Sequence, residues 1–406
     1  MTPYRLAANT FGAEELAAAK AVLDSGMFTL GEQVAAFETE FAAWTGAKHA
    51  LMVNSGSSAN LLATDLMLRR SHGEPLWRRG DEVLVPALAW PTTVWPLVQL
   101  GLVPVFVDVD PHSFAISLES AEAALSPRTR GMFLIPVLGL TPDMAAYSAF
   151  CKRHGLVLLE DACESLGSHY EGVHAGNFGL SGTFSCYFSH HISTIEGGLL
   201  VTSDAELYDD MKSARAHGWV RDRADKETWL EQYPEIDERF MFVMPGYNVR
   251  PMELQAAIGS VQLRKLDDML ERRERLASKV DGWLRRSAPW LTLAGRSRLL
   301  EEGAKQTRQG RTHSWMTLPL LLAPGAPIKK QALAALLGEL QVETRPIIAG
   351  NLARHPAMRQ IVSRSAPSLA ECDEVFARGI MIGCHPVPAP GSLETLERAI
   401  EALARL

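Results

Sequence analysis

Three stretches of the chain place reactive or small polar side chains directly after short apolar runs. The first, Asn54-Ser55-Gly56-Ser57-Ser58-Ala59-Asn60, follows the run Ala50–Val53 and opens a helical pattern. Small residues let a backbone approach an anion, and the first turn of a helix offers N–H groups without an intrahelical acceptor. The stretch can therefore cradle a phosphate. It can equally be an ordinary small-residue helix cap. The second is Leu158-Leu159-Glu160-Asp161-Ala162-Cys163-Glu164. It sets a carboxylate at the C-terminal end of a buried strand, where open α/β sheets bind ligands. There Asp161 can hold a proton on a ring nitrogen, although Asp also favours a plain helix N-cap. The third, Ser181–Gly198, reads SGTFSCYFSHHISTIEGG. Its histidines, His190 and His191, follow a strand and precede a Gly-Gly turn. Adjacent residues do not share a helix face, which argues against a pair of metal ligands, and no metal site is expected.

These loops need a framework. Helical patterns run over Ala13–Ser25, Gln33–Trp44 and Ser58–Arg69. Strand-like runs cover Ala50–Val53, Glu82–Pro86, Val103–Val107, Gly131–Pro136, Val157–Glu160, Gly182–Tyr187 and Gly198–Thr202. Such alternation predicts an α/β fold with a mainly parallel sheet and right-handed crossovers such as Thr141–Arg153. Val83–Val107 is uncharged over 25 residues but contains Pro86, Pro91, Pro96 and Pro104. Four prolines speak against a spanning helix and predict strand, loop, short helix, strand. Residues 251–285 read as one long helix after Pro251, and Gly303–Arg311 as a basic linker or surface loop. A strand (Ser314–Leu321) and a helix (Lys329–Leu340) then open a small C-terminal α/β domain. The expected division is a large domain over 1–255, a connecting helix and linker over 256–310, and a small domain over 311–406.

Composition narrows the function classes. A chain of 406 residues fits one large domain and a smaller one. A formal net charge of −7 argues against nucleic acid as a partner, because a basic face normally shows in the balance. Neither nucleic acid nor a membrane is expected to be bound. The five cysteines, 151, 163, 186, 372 and 384, are scattered and include no CxxC pair. That spacing disfavours a disulfide framework, a zinc knuckle or an iron–sulfur cluster. The first twenty residues lack a basic stretch followed by an apolar one, and the expected compartment is the cytoplasm.

Taken in order, the three stretches resemble the sugar-nucleotide aminotransferases of fold type I, the DegT/DnrJ/EryC1/StrS family, which use pyridoxal phosphate (PLP). The similarity extends over most of the chain. It includes Gly31-Glu32, Phe37–Phe41, Val85–Trp90, Pro104–Asp110, Leu159–Gly167 and Thr183–Gly198. Most specific is Gly246–Gly259, which reads GYNVRPMELQAAIG. The resemblance implies the aspartate aminotransferase-like PLP fold, with a mainly parallel large domain and a small C-terminal α/β domain. It also implies roles. Gly56, Ser57 and Ser58 would cradle the PLP phosphate, with Ser185 as a further phosphate ligand. Trp90 would stack on the pyridine ring, Asp161 would bond the ring nitrogen, and Glu164 stands where a glutamine often meets the ring hydroxyl. Asn248 matches an asparagine that reaches the phosphate of the neighbouring subunit, which implies a homodimer with shared sites.

One departure from the family pattern carries the functional expectation. Most members have a lysine that holds PLP covalently a few residues after the Phe-Ser pair. A gapless alignment from Phe184-Ser185 to Glu196-Gly197-Gly198 puts His190 at that lysine and His191 at the following asparagine. The chain has ten lysines, at 20, 48, 152, 212, 226, 265, 279, 305, 329 and 330, and none falls in a strand-end loop. Imidazole forms no stable imine, so the cofactor would be held non-covalently as PLP or pyridoxamine phosphate (PMP). Imidazole remains a good proton shuttle near neutral pH. The resemblance therefore points to the His-for-Lys branch, the sugar 3-dehydratases, acting on a nucleotide-linked 4-keto-6-deoxy sugar. One subtype there carries a [2Fe–2S] cluster on closely spaced cysteines. The other has none and regenerates PMP from L-glutamate, and the cysteine spacing favours it. An aminotransferase that tolerates the histidine, and an inactive PLP-fold binding protein, are the alternatives. His217, Arg250 and Arg345 are candidate substrate contacts, the arginines because guanidinium forks suit carboxylates and diphosphates. Structural ion pairing is the other reading of both arginines. The charged insertion Arg221–Arg239 is either a flap over the site or a solvated loop.

Overall fold

The computed structural model describes residues 2–29, 31–296 and 308–406. Residues 303–307 of the expected linker thus lie outside the described residues. In chain order the strands are β1 (His49–Val53), β2 (Glu82–Pro86), β3 (Val103–Val107), β4 (Thr129–Leu134) and β5 (Val157–Asp161). A short hairpin, β6 (His169–Tyr170) and β7 (Val173–His174), precedes β8 (Ser181–Ser185) and β9 (Gly198–Thr202). The C-terminal part adds β10 (Leu291–Leu293), β11 (Thr317–Leu322), β12 (Thr344–Pro346), β13 (Arg364–Ser365) and β14 (Gly379–Gly383). Helices up to the C-terminal part are α1 (Ala13–Ser25), α2 (Glu32–Thr45), α3 (Gly56–Leu68), α4 (Pro91–Gln99), α5 (Leu118–Ala124), α6 (Met144–His154), α7 (Ala205–Arg215), α8 (Lys226–Gln232) and α9 (Glu253–Ser287).

The large sheet runs β1-β9-β8-β5-β4-β2-β3-β13. Its neighbours from β8 to β13 are parallel, and β9 alone in this sheet runs against the others. Strands covered on both faces read as unbroken apolar runs rather than alternating ones. β2, β3 and β9 are buried along their whole length, which explains the uncharged stretch around Val83–Val107. Among the described residues no helix is long and apolar enough to cross a membrane. A smaller antiparallel sheet, β10-β11-β14-β12, forms from the C-terminal part. The long helix α9 packs along α1 and α2. A Cβ on Gly259 would stand 2.6 Å from the Phe37 ring, so glycine is what lets α2 close on α9.

Three local differences from expectation have physical causes. β8 stops at Ser185 rather than Tyr187, because the chain leaves the sheet to make a turn in which His190 N–H bonds the Tyr187 carbonyl at 2.9 Å. β11 begins at Thr317 rather than Ser314. Ser314 and Met316 donate their N–H groups instead to Gly139 and Leu138, at 3.1 and 3.0 Å. β13 comes from the C-terminal part yet joins the edge of the large sheet beside β3. Arg364 secures it by two bonds, at 3.0 and 2.7 Å, to the buried carboxylate of Glu82.

Candidate active site

The C-terminal ends of β1, β2, β4, β5 and β8 converge on a cavity of about 570 Å³. The smaller sheet closes its far side with Met316, Thr317 and Met381. This is the position at which parallel sheets present loops to ligands.

The helix-cap reading of the first stretch holds. Ser55 caps α3, its Oγ accepting Ser58 N–H at 3.1 Å. Ser55 Oγ also donates to Ser58 Oγ at 3.0 Å. Ser58 is thereby taken up in the cap and does not line the cavity, whereas Gly56 and Ser57 do. A Cβ on Gly56 would lie 2.6 Å from Ser185 Cβ. The glycine lets the α3 N-terminus touch the end of β8, so that helix N–H groups and the Ser185 hydroxyl form one small cup. Donors at a helix N-terminus favour an anion.

Asp161 ends β5 and is almost fully buried. No helix follows it, so the N-cap reading does not apply. Its Oδ2 accepts Asn60 Nδ2–H at 2.8 Å and Thr93 Oγ1–H at 2.6 Å. Its Oδ1 accepts Cys163 N–H at 3.2 Å. Thr183 Oγ1 donates to Asn60 Oδ1 at 2.6 Å, which orients the amide with its NH₂ toward the carboxylate. α3, α4 and β8 therefore fix one carboxylate from three sides. Asn60 lies inside the first stretch, but nothing in the spacing of Thr93 or Thr183 signals the contact.

The two histidines part company. His190 lines the cavity, and its Nδ1 lies 2.7 Å from the Cys163 carbonyl. A carbonyl only accepts, so Nδ1 carries the hydrogen and Nε2 is left as the basic nitrogen. Burial pushes this imidazole below its ordinary value, partly offset by the Cys163 carbonyl and by Asp161, while Arg273 adds to the lowering. His191 is fully buried behind the cavity, with Nε2 3.2 Å from the Ser314 carbonyl and Nδ1 unpartnered. Arg273 of α9 donates to the carbonyls of Trp315, at 3.2 Å, Met316, at 3.0 Å, and Cys384. It ties the long helix to the smaller sheet, a role that its place in a charged helix does not announce.

The remaining candidates divide by location. Trp90, at the N-cap of α4, is 56% exposed and stands on the cavity rim. Glu164 lines the wall, its Oε2 accepting Leu138 N–H at 2.9 Å. Arg345 lines it from β12 and forms an ion pair with Glu343 at 2.9 Å. Asn248, His217 and Arg250 lie outside this chain's own cavity. They form a separate cluster on Trp219. The His217 ring meets Trp219 edge-on at 4.9 Å, the Arg250 guanidinium lies 5.8 Å from the indole, and Arg250 Nε donates to Asn248 Oδ1 at 3.0 Å. The insertion does not cover the cavity either. It is docked through the buried Arg223, which bonds Asp210 at 2.9 Å and Asp225 at 2.6 Å.

The donor set fits PLP or PMP. It combines an anion cup, an aromatic rim and a fixed carboxylate, and among the described residues no lysine lines the cavity.

Comparison with known proteins agrees with this site. The family model for the DegT/DnrJ/EryC1/StrS aminotransferases matches residues 9–403. GDP-4-keto-6-deoxy-D-mannose 3-dehydratase of Yersinia pseudotuberculosis is 36% identical over 399 residues, 98% of each chain. The solved structure of the E. coli GDP-4-keto-6-deoxy-D-mannose-3-dehydratase with bound hydrated PLP is 34% identical, with a TM-score of 0.87 over 100% of this chain and 99% of that one. A GDP-4-keto-6-deoxymannose-3-dehydratase with a trapped PLP-glutamate geminal diamine is also 34% identical, with a TM-score of 0.86 over 99% of both chains. Similarity of this extent, on a sheet whose strand ends carry the family's motifs in order, makes the chain a member of the DegT/DnrJ/EryC1/StrS aminotransferase family.

Proposed function

We propose that the chain is a PLP/PMP-dependent C3-dehydratase of a nucleotide-linked 4-keto-6-deoxyhexose, with L-glutamate as the donor that regenerates PMP. The observation that carries this reading is His190, with its Nδ1 tied to a carbonyl, in a cavity that no lysine among the described residues lines. GDP is the favoured nucleotide, because the relatives described above act on a GDP-linked sugar. The relative trapped with glutamate supports the donor. Five unpaired cysteines suit a reducing cytoplasm.

When bound, PMP supplies an amine that condenses with the substrate's keto group and a ring that takes up the electron pair of a broken C–H bond. Gly56, Ser57 and Ser185 would hold the phosphate, and Trp90 would cover a face of the ring. Asp161, itself fixed by Asn60 and Thr93, would keep the proton on the ring nitrogen. His190 Nε2 would take the proton from the C4′ carbon and, as the imidazolium, hand it to the departing C3 hydroxyl, which would leave as water. With no lysine at position 190, the amine is not handed on efficiently to the sugar, and the deoxygenated sugar is released. Arg345 is placed to meet an anionic group of substrate or donor. Asn248, with His217 and Arg250 beside it, serves the cavity of a second copy, giving a homodimer with shared sites. Their position outside this chain's own cavity supports that assignment.

The test is to incubate purified protein with PLP and glutamate, follow conversion of the absorbance to that of PMP, and then add GDP-4-keto-6-deoxymannose. A product that has lost the C3 hydroxyl is expected. A product carrying an amine would make the protein an aminotransferase, and failure to bind cofactor would make it an inactive relative.

A further inference from the structure

Asp161 and Glu164 enter the same cavity wall from one strand-end loop, but their surroundings differ. Asp161 accepts three hydrogen bonds. Glu164 accepts one, from Leu138 N–H to Oε2 at 2.9 Å, and its Oε1 has no hydrogen-bond partner among the described residues. The donor is rigid. Leu138 sits at φ 53 in the turn Val137–Gly139, and its carbonyl accepts Met316 N–H at 3.0 Å. The other titratable or charged groups on this cavity are Cys163 from the same loop, Tyr187, His190 and Glu196 from beyond β8, and Arg345 from β12. Arg345 pairs with Glu343, and among the described residues no cation bonds Glu164. A second carboxylate beside Asp161, with one neutral donor and no counter-charge, is poorly compensated. Burial, and then the charge on Asp161, push the Glu164 carboxyl up to about 7.

We infer that Glu164 carries a proton on Oε1 in the cofactor-bound state and donates it in a hydrogen bond to an anionic ring oxygen of that cofactor. This rests on the functional reading above. A glutamine here would donate at any pH, whereas a glutamate makes donation conditional. Below about pH 7 the free protein already holds the proton. Above it, binding must take a proton up, so affinity falls by up to about tenfold per pH unit.

The experiment is calorimetric titration of the cofactor-free full chain with PMP at about pH 8, in two buffers of different ionisation enthalpy. The parent should take up close to one proton more than Glu164→Gln. Its affinity should also fall more steeply than the variant's between about pH 7 and pH 8. Because the PMP phosphate and amine titrate identically in both titrations, the difference isolates position 164. Equal uptake and parallel affinity profiles would overturn the inference. If Glu164→Gln does not fold, the parent is titrated with a PMP analogue lacking the ring hydroxyl. Loss of the extra uptake supports the donor role, and its persistence overturns it. A parent that binds no PMP overturns the functional reading, a result distinct from PMP bound with no pH difference.

Discussion

Asparagine at 190 and asparagine at 191 should have opposite consequences. His190→Asn removes the free Nε2 from the cavity and one bond to the Cys163 carbonyl, 2.7 Å in length. The cup at Gly56, the carboxylate of Asp161 and the rim at Trp90 are untouched, so PMP should still bind. Loss of a general base costs roughly 10²–10⁴ in rate. At about 1.4 kcal/mol per tenfold, that is about 3 to 5 kcal/mol of barrier. His191→Asn acts elsewhere. Residue 191 is 0% exposed and is not among the residues that line the cavity; its Nε2 lies 3.2 Å from the Ser314 carbonyl. An asparagine amide can supply a donor to that carbonyl, and the unpartnered Nδ1 disappears with the ring. The cost should appear as about 1–2 kcal/mol of stability from lost packing, with dehydration changed by less than about tenfold. The assay runs both variants side by side, measuring dehydration rate, PMP affinity and thermal midpoint. If His191→Asn is inactive while His190→Asn keeps its rate, the base has been assigned to the wrong histidine.

Thr93→Val should lower turnover while leaving PMP bound, because it removes the 2.6 Å bond that helps hold Asp161 in place; a bond to a carboxylate is worth about 1.5–3 kcal/mol, and unchanged turnover would remove Thr93 from the site. Borohydride reduction of PLP-loaded protein should leave no phosphopyridoxyl-lysine, since among the described residues no lysine lines the cavity and position 190 is a histidine; peptide mass mapping that finds such an adduct contradicts the non-covalent mode. Mixing Asn248→Ala with His190→Ala chains should restore part of the activity if Asn248 serves the partner's cavity, and a fully active monomer at high dilution would rule this out. His174 is buried, accepts Gly167 N–H on Nε2 at 2.8 Å, and has its imidazole pushed down to about 3, chiefly by burial. The unfolded chain, titrating near 6.5, then binds one proton more than the folded chain between those values, so stability should fall with acidification by about 1.4 kcal/mol per pH unit. His174→Gln should lose this component, and urea unfolding at about pH 7 and pH 5 should show the parent dropping about 2 kcal/mol more than the variant; parallel slopes would refute it.

Much of this protein is legible one residue at a time. β2, β3 and β9 follow from local runs of apolar residues, because strands covered on both faces need no alternation and their ends are marked by proline, glycine or charge. Helix α1 shows in the same way through its periodic alanines and leucines. Asp161 and His190 are accessible too, since Asp161 ends β5 and His190 follows β8 by a few residues, and a motif compared position by position keeps its spacing. What stayed hidden depends on residues far apart in the chain. Ser58 shares the first stretch with Gly56, yet only the helix geometry shows its N–H already engaged by Ser55. Thr93 and Thr183 reach the Asp161 network from α4 and β8, across 68 residues in one case. β11 begins late because Ser314 and Met316 are drawn to Gly139 and Leu138. The choice between two neighbouring histidines is of the same kind. Both have the same chemistry and the same local surroundings. The turn after β8 aims one ring at the cavity and the Cys163 carbonyl, and folds the other beneath Ser314. Local pattern sets which segments become strands and helices, because burial and backbone geometry act over a few residues. Which side chains share a solvent-excluded pocket is set by the order in which the sheet assembles those segments.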